Sequence, residues 1–275
     1  YNFPINKDDI PKMPDSEIIQ KELNSLIGVK EACDFEEYWI ASVGKSLYEK
    51  FVDNYNKKMW LINSNKEFDT FKWSPKGVAL KEGPRAAWDI AISGYPYDPK
   101  GYDPYFEIAT SNAKVLLNQK IEVFDIENYR VFFQGAWHNY DIIINTISPS
   151  DIFYNTFGEL PFVGRDLYKF VLPIEQAFPK NVFFTYYAGN EPFTRLVEYK
   201  KFTLHQSPHT LIGMEIPSLN GKHYPLPMKR WQAVADKYHN LQPNNVFSIG
   251  RAGSYRYEVD IDDTIRQAID LVSSL

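Results

Sequence analysis

The sequence lacks most features that would give a quick functional answer. It has one cysteine, Cys33, so no internal disulfide can form; this fits a reducing compartment and a cytoplasmic location. No apolar run approaches the ~20 residues that span a bilayer, and no signal peptide is visible, so no membrane partner is expected. The net charge is −5 with no long basic run, so no nucleic-acid partner is expected either. The five histidines have no tight ligand spacing. Only His205 and His209 are four apart, and they flank Pro208 in a turn, so no metal site is expected. Cys33 stands just ahead of a helix cap without a histidine nearby in sequence, and reads as a small buried residue. Internal repeats and low-complexity segments are missing, and no Gly-x-Gly-x-x-Gly occurs anywhere in the 275 residues.

Aromatic rings are plentiful: 19 Tyr, 19 Phe and 6 Trp, enough for a sizeable core and for stacking surfaces. Residues up to about 110 read as mainly helical. Asp15-Ser16-Glu17 begins an amphipathic helix to about Leu26. Asp34 and Glu37 form a capping box ahead of residues 35–55, where Phe35, Trp39, Val43, Leu47 and Phe51 recur at helical spacing. Gly44 divides that stretch, since glycine costs roughly 1 kcal/mol inside a helix. Residues 63–82 form a long connection around Trp73-Ser74-Pro75-Lys76-Gly77, and Asp103-Pro104 reads as an N-cap with proline at the first helical position. The period then changes. Short β-branched and aromatic runs at 114–117, 121–124, 129–133, 140–146, 167–172, 182–187, 193–199 and 210–216 predict a mostly antiparallel sheet. Residues 227–241 return to helix, so the fold class is mixed α/β.

Near the C-terminus, Val246, Phe247 and Ile249 form a short strand that enters Gly250-Arg251-Ala252-Gly253-Ser254-Tyr255-Arg256-Tyr257. A helix follows, its apolar stripe marked by Ile261, Ile265, Ala268, Ile269 and Val272. Asp260 is its N-cap and Asp263 stands at the third position, an imperfect capping box. A strand feeding a helix through glycines presents backbone N–H groups and a positive dipole end to a ligand, and Arg251 can touch an anion. Equally, the unit can simply close a domain.

Other constellations stand out upstream. Phe51 and Tyr55 share a helix face ahead of Trp60 and can either stack on a base or pack in a core. In Pro192-Phe193-Thr194-Arg195-Leu196-Val197-Glu198, alternation puts Arg195 on the face of Phe193 and Val197. An arginine so placed needs an anion, either a bound phosphate or an internal carboxylate such as Glu159 or Asp166. In His223-Tyr224-Pro225, Tyr224 can serve a site or only pack.

These residues carry a resemblance. Gly250-Arg251-x-x-x-Tyr255-Arg256-Tyr257-x-x-Asp260 resembles the C-terminal signature of the UDP-galactopyranose mutases, with one extra residue between the second Tyr and the Asp. Val43-Gly44-x-x-Leu47-Tyr48 and the run from Tyr55 to Trp60 resemble another family segment. Pro192-Phe193-Thr194-Arg195 with Glu198, Lys200 and Phe202 resembles the family's Pro-Tyr-Thr-Arg strand, and Tyr224-Pro225 its Tyr-Pro. The resemblance implies an FAD-dependent isomerase that interconverts UDP-galactopyranose and UDP-galactofuranose. Reduced flavin N5 would attack the anomeric carbon and displace UDP, after which the sugar ring opens and recloses through another hydroxyl.

By the same resemblance, Arg195, Tyr224, Tyr257 and Asp260 serve catalysis, and Phe51, Tyr55, Trp60 and Arg85 the UDP-sugar. Gly250, Arg251, Asp260 and Ile261 would serve FAD. Residues 1–110 would form a helical substrate subdomain, 111–242 an antiparallel sheet subdomain, and 243–275 the returning end of an FAD-binding domain. A homodimer is a candidate assembly. The sequence departs from the family at its second diphosphate arginine, where Lys72, Lys76 or Arg85 are candidates, and at its next substrate tyrosine, where Trp88 or Tyr95 stand nearest. The family's glycine fingerprint for FAD is missing. Because the sequence opens at Tyr1 rather than Met, an N-terminal segment carrying it is expected upstream, and the chain alone is expected to hold FAD weakly. Two alternatives are an FAD oxidoreductase of amine-oxidase type and a non-catalytic nucleotide-sugar-binding fragment.

Overall fold

Helices begin where the capping residues stand. The computed structural model describes residues 6–69, 94–98 and 100–275, so Lys72, Lys76, Arg85 and Trp88 lie outside the described residues. Helix α1 (Ser16–Asn24) follows Asp15, and α2 (Phe35–Val43) follows Asp34. Asp34 Oδ1 accepts from the Glu37 amide at 2.9 Å, as the capping pattern predicts, but Glu37 reaches back to the Cys33 amide at 2.9 Å, one residue before the N-cap. Cys33 itself is exposed, not buried. Its backbone serves the cap outside the first turn, and this holds its thiol off the core.

Gly44, at φ +83°, divides α2 from α3 (Lys45–Tyr48) as expected. A Cβ there would stand 2.9 Å from Glu22 Oε2, the carboxylate that accepts from the Ser46 amide at 2.8 Å. A single π-helical turn, Glu49–Asp53, leads into α4 (Asn54–Trp60). Helix α5 (Asp103–Ala109) begins at Asp103-Pro104.

The strands follow: β1 (Val123–Asp125), β2 (Arg130–Phe133), β3 (Ala136–Asn139) and β4 (Ile143–Asn145), then α6 (Pro149–Ile152) and the long β5 (Phe162–Leu172). After them come β6 (Phe184–Tyr186), β7 (Arg195–Glu198), α7 (Lys200–Thr203), β8 (Thr210–Ser218) and β9 (Tyr224–Pro225). The chain closes with α8 (Lys229–Asn240), β10 (Val246–Ser248), α9 (Gly250–Gly253) and α10 (Ile261–Ser274).

The strands divide into separate sheets where the sequence reading has one. β1–β2–β3 is an antiparallel meander, β6–β7–β8 is antiparallel with β5 beside β8, and β4 pairs in parallel with β10. Residues 114–117 form no strand; Val115, Leu116 and Leu117 stay exposed, and Asn118 at φ +57° turns the chain. β3 escapes the sequence reading because its turn is Gln134-Gly135, both at positive φ, a two-residue hairpin turn without the usual Asn or Asp.

The chain forms two compact units, Tyr1–Tyr102 with Arg165–Asn220, and Asp103–Gly164 with Gly221–Leu275. The first unit buries Ile19, Phe35, Trp39, Leu47, Trp60 and Phe68, with Phe35 6.3 Å and Trp60 5.5 Å from Phe68 between ring centroids. The second buries Leu160, Phe162, Ala235, Tyr238 and Tyr255 as one cluster. Gly253 lets α9 press on β4, because a Cβ there would meet the Asn145 carbonyl oxygen at 2.7 Å. Among the described residues no helix is long and apolar enough to cross a membrane.

Candidate functional site

In the first unit, strand register decides what surrounds Arg195. It stands opposite Tyr186 on β6 and Glu215 on β8. Its Nε and Nη2 both donate to Glu215 Oε1, at 2.9 and 2.5 Å. The internal carboxylate is therefore Glu215, neither Glu159 nor Asp166. Glu159 pairs with Lys222 at 3.3 Å, and Asp166 accepts from Asn220 at 2.9 Å. Burial opposes the charge on Arg195, but Glu215, with Tyr186 behind it, holds the guanidinium pKa above its ordinary value. The ion pair occupies one edge of the guanidinium only. Among the described residues Nη1 makes no hydrogen bond or ion pair, and the side chain is 28% exposed.

Aromatic rings flank this arginine. Its Cζ lies 5.7 Å from the Phe184 centroid and 6.0 Å from that of Tyr186. Tyr55 meets Tyr186 edge to face at 5.8 Å. Burial, and then Glu215, raise the Tyr199 hydroxyl pKa. Tyr55 is thus brought to the arginine cluster. Trp60 is buried against Phe68, and Tyr55 is buried as well. Phe51 lies half-buried in the π-helical turn before α4. Tyr95 packs on Phe202 at 4.9 Å.

Sequence reasoning passed over three residues that hold this arrangement. Glu215 sits between Met214 and Ile216 on a strand, an acid among apolar neighbours, and that was a readable signal. Glu198 is fully buried and accepts from the amides of Ala177 and Phe178, from Thr210 Oγ1 and from Lys201. Lys58 has its ammonium on the backbone carbonyls of Tyr187, Glu191 and Phe193 at 2.9, 2.9 and 3.1 Å. Burial pushes its pKa below the ordinary lysine value, against the pull of Glu191. No local spacing announces a lysine that meets its partners more than a hundred residues later.

In the second unit, Arg251 is the centre. Its Nε donates to the Val259 carbonyl at 2.9 Å and its Nη2 to the Asp260 carboxylate. Its Cζ lies 5.5 Å from the Tyr224 ring and 5.6 Å from the Tyr257 ring, which meet each other at 5.7 Å. Tyr224 is fixed by β9, which pairs antiparallel with the start of β5. Tyr255 is core, its hydroxyl donating to the Pro161 carbonyl at 2.7 Å and its pKa raised by burial. The Gly250 amide is already engaged, donating to Gln267 Oε1 at 2.8 Å. Asp260 and Asp263 form the capping box of α10, with the Asp260 amide donating to Asp263 Oδ2 at 3.1 Å. Ile261 opens that helix and is exposed. Among the described residues no side chain accepts from the Ile261 and Asp262 amides, so this helix end keeps N–H groups to offer. Among the described residues there is also no cluster of His, Cys, Asp and Glu able to hold a metal ion.

Comparison with known proteins gives the class: the chain is similar to nucleotide-sugar mutases. The chain belongs to that class, and within it to the UDP-galactopyranose mutase family, whose model matches residues 50–257. It is 26% identical over 98% of its length to dTDP-fucopyranose mutase of Escherichia coli, covering 73% of that protein. It is 25% identical, again over 98% of its length, to a Klebsiella pneumoniae protein described as "Probable UDP-galactopyranose mutase", covering 69% of it. The fold is shared with a crystal structure of reduced UDP-galactopyranose mutase at a TM-score of 0.74 and 16% identity, covering 94% of this chain and 73% of that one. These relatives mark the chain as an isomerase of the nucleotide-sugar class.

Proposed function

We propose that this protein interconverts UDP-galactopyranose and UDP-galactofuranose with FAD as its cofactor, and that Arg195 grips the substrate diphosphate. One observation carries the reading. Arg195 is anchored along one edge by Glu215, while its Nη1 edge stays unclaimed among the described residues and its side chain partly exposed. An internal pair and an anion site are therefore compatible: Glu215 fixes the plane of the guanidinium, and the free edge offers paired N–H donors to phosphate oxygens. As the anomeric bond breaks, charge gathers on the leaving diphosphate, and a guanidinium that is already oriented stabilises it without reorganising. Tyr55, braced by Tyr186, would support the uracil ring from the same unit.

The second unit has residues that fit a flavin. The open amides at the start of α10 suit an electron-rich ring edge, and Arg251, with its Nη1 unclaimed among the described residues, would hold part of the cofactor. When bound, reduced FAD would supply the nucleophilic nitrogen of the reaction. Arg251 lies against both the Tyr224 and Tyr257 rings, which meet each other edge to face.

Loss of the Arg195 guanidinium tests the reading. Arg195→Ala should weaken UDP binding about ten- to a hundred-fold, the loss of roughly 1.5–3 kcal/mol for a charge-assisted hydrogen bond. Arg195→Lys should recover only part, since an ammonium lacks the planar fork. Titration calorimetry with UDP reads both. Unchanged UDP affinity alongside a large fall in melting temperature would leave Arg195 as a purely internal ion pair. The similarity to dTDP-fucopyranose mutase favours a second reading, in which the nucleotide is dTDP. Titrating UDP and dTDP side by side decides between them.

A further inference from the structure

Two lysines in the first unit bind backbone carbonyls in the same way at different places. Lys201 donates to the carbonyls of Phe178, at 2.6 Å, and Pro179, and pairs with the buried Glu198 at 3.3 Å. Lys58 donates to three carbonyls of the segment 187–193, between β6 and β7, and its side chain is only 14% exposed. The difference lies in what each lysine joins. Lys201 ties α7 and its neighbouring loop together. Lys58 is on α4, one turn after Tyr55, and its carbonyl partners end at Phe193, two residues before Arg195. Asn54 repeats the link from the same helix, its Nδ2 donating to the Gly189 carbonyl at 2.6 Å.

We infer that Lys58 is a positioning residue that fixes the spacing between the base-supporting helix α4 and the diphosphate-binding strand β7. The inference rests on the proposed nucleotide site and deepens it. A buried ammonium with three carbonyl acceptors, and the Glu191 carboxylate 3.7 Å away, is a stiff joint, because breaking it gives up several hydrogen bonds in a low-dielectric place. A ligand that touches both α4 and β7 benefits from that stiffness, since its second contact forms without further ordering. A ligand that touches one element alone gains nothing from it. Lys58 should thus matter for a whole nucleoside diphosphate and hardly for its parts. Its burial and lowered pKa agree with a joint closed to water.

The test compares UDP with uridine on Lys58→Met and Lys201→Met, well below both melting temperatures. Lys58→Met should weaken UDP by about tenfold or more. Uridine affinity should change by less than about threefold, the scatter of substitutions that touch nothing important. Lys201→Met should lose stability but hold UDP affinity within the same scatter. If Lys58→Met keeps UDP affinity, or loses uridine equally, the positioning role is wrong. If Lys58→Met does not fold, Asn54→Ala cuts the same helix from the same segment and should shift UDP but not uridine. If the unsubstituted protein binds neither UDP nor uridine, the nucleotide reading fails on its own. Hydrogen exchange then decides the joint: unchanged exchange at 187–193 in Lys58→Met overturns it.

Discussion

Arg195 and Arg251 are anchored alike and built differently. Each gives Nε and Nη2 to oxygen acceptors, each lies near tyrosine rings, and each side chain is 28% exposed. The carboxylates differ. Glu215, opposite Arg195, is 16% exposed and fixed by strand register, whereas Asp260, beside Arg251, is 58% exposed at a helix start. A carboxylate out of water interacts strongly and has few alternatives; one in water exchanges partners at little cost. Arg195 is therefore held by a carboxylate that strand register fixes, while Arg251 is held by the Val259 carbonyl and the two rings beside it, with an exposed carboxylate as its ion partner. The first is a fixed ion pair, the second one that exchanges readily with water.

If this account holds, the cost of removing a carboxylate should follow its burial, and Glu198, fully buried on the Arg195 strand, sets the upper limit. Glu198→Ala leaves Thr210 and two amides without their acceptor and the buried Lys201 without its counter-charge, and should cost about 3–5 kcal/mol. The pH dependence has a definite sign. Burial alone would raise the Glu198 pKa, but its hydrogen bonds to Thr210, Ala177 and Phe178 and the Lys201 pair outweigh this and lower it. The unfolded chain then binds the proton first, so this stabilisation is present at neutral pH and is lost as pH falls below the ordinary value of 4.5. Denaturant melts between pH 7 and 3 should show Glu198→Gln with a shallower acid decline than the unsubstituted chain. An identical acid decline would mean that Glu198 does not carry it.

Glu215 stands next. Glu215→Gln keeps the shape and removes the charge, and should cost about 1.5–3 kcal/mol because Arg195 loses its charged acceptor. It also separates two views of the site. By charge alone, removing an anion beside Arg195 tightens UDP. If Glu215 orients the guanidinium plane, UDP binds more weakly. We expect weaker binding; tighter binding by calorimetry would show that Glu215 competes with the diphosphate rather than aiming its grip.

What the sequence made legible follows the same division. Contacts within one helical turn could be read directly: the caps at Asp34 and Asp260, the break at Gly44, and the helix over 229–240. Arg195 could be recognised as needing an anion from alternation on its own strand. Glu215 could be noticed as an acid among apolar neighbours, but its pairing with Arg195 could not, because the β7–β8 register decides it and spacing within either strand leaves that open. Lys58 was hidden for the same reason, its acceptors being backbone carbonyls with no residue signature. Cys33 misled because small apolar character argues for burial, while its place in a cap holds it at the surface. The run 114–117 misled because β-formers without a partner strand remain loop.

Asp260 provides the smallest effect and the sharpest check on the comparison. It has two roles that substitution can separate: it caps α10, and it pairs with Arg251. Asp260→Ala removes both. A lost cap costs about 1 kcal/mol, which for a chain of this size lowers the melting temperature by about 2–4 °C. Asp260→Asn keeps a side chain that caps equally well and discards only the charge. The exposed ion pair is worth about 0–1 kcal/mol, and salt screens it. Asp260→Asn should therefore melt close to the unsubstituted chain at low salt, with the remaining difference vanishing at high salt. Glu215→Gln should keep its deficit in both. Calorimetric melts of the three variants at two salt concentrations make the comparison. If Asp260→Asn is as costly as Glu215→Gln and indifferent to salt, the two arginines are held equally firmly, and burial of the carboxylate does not distinguish them.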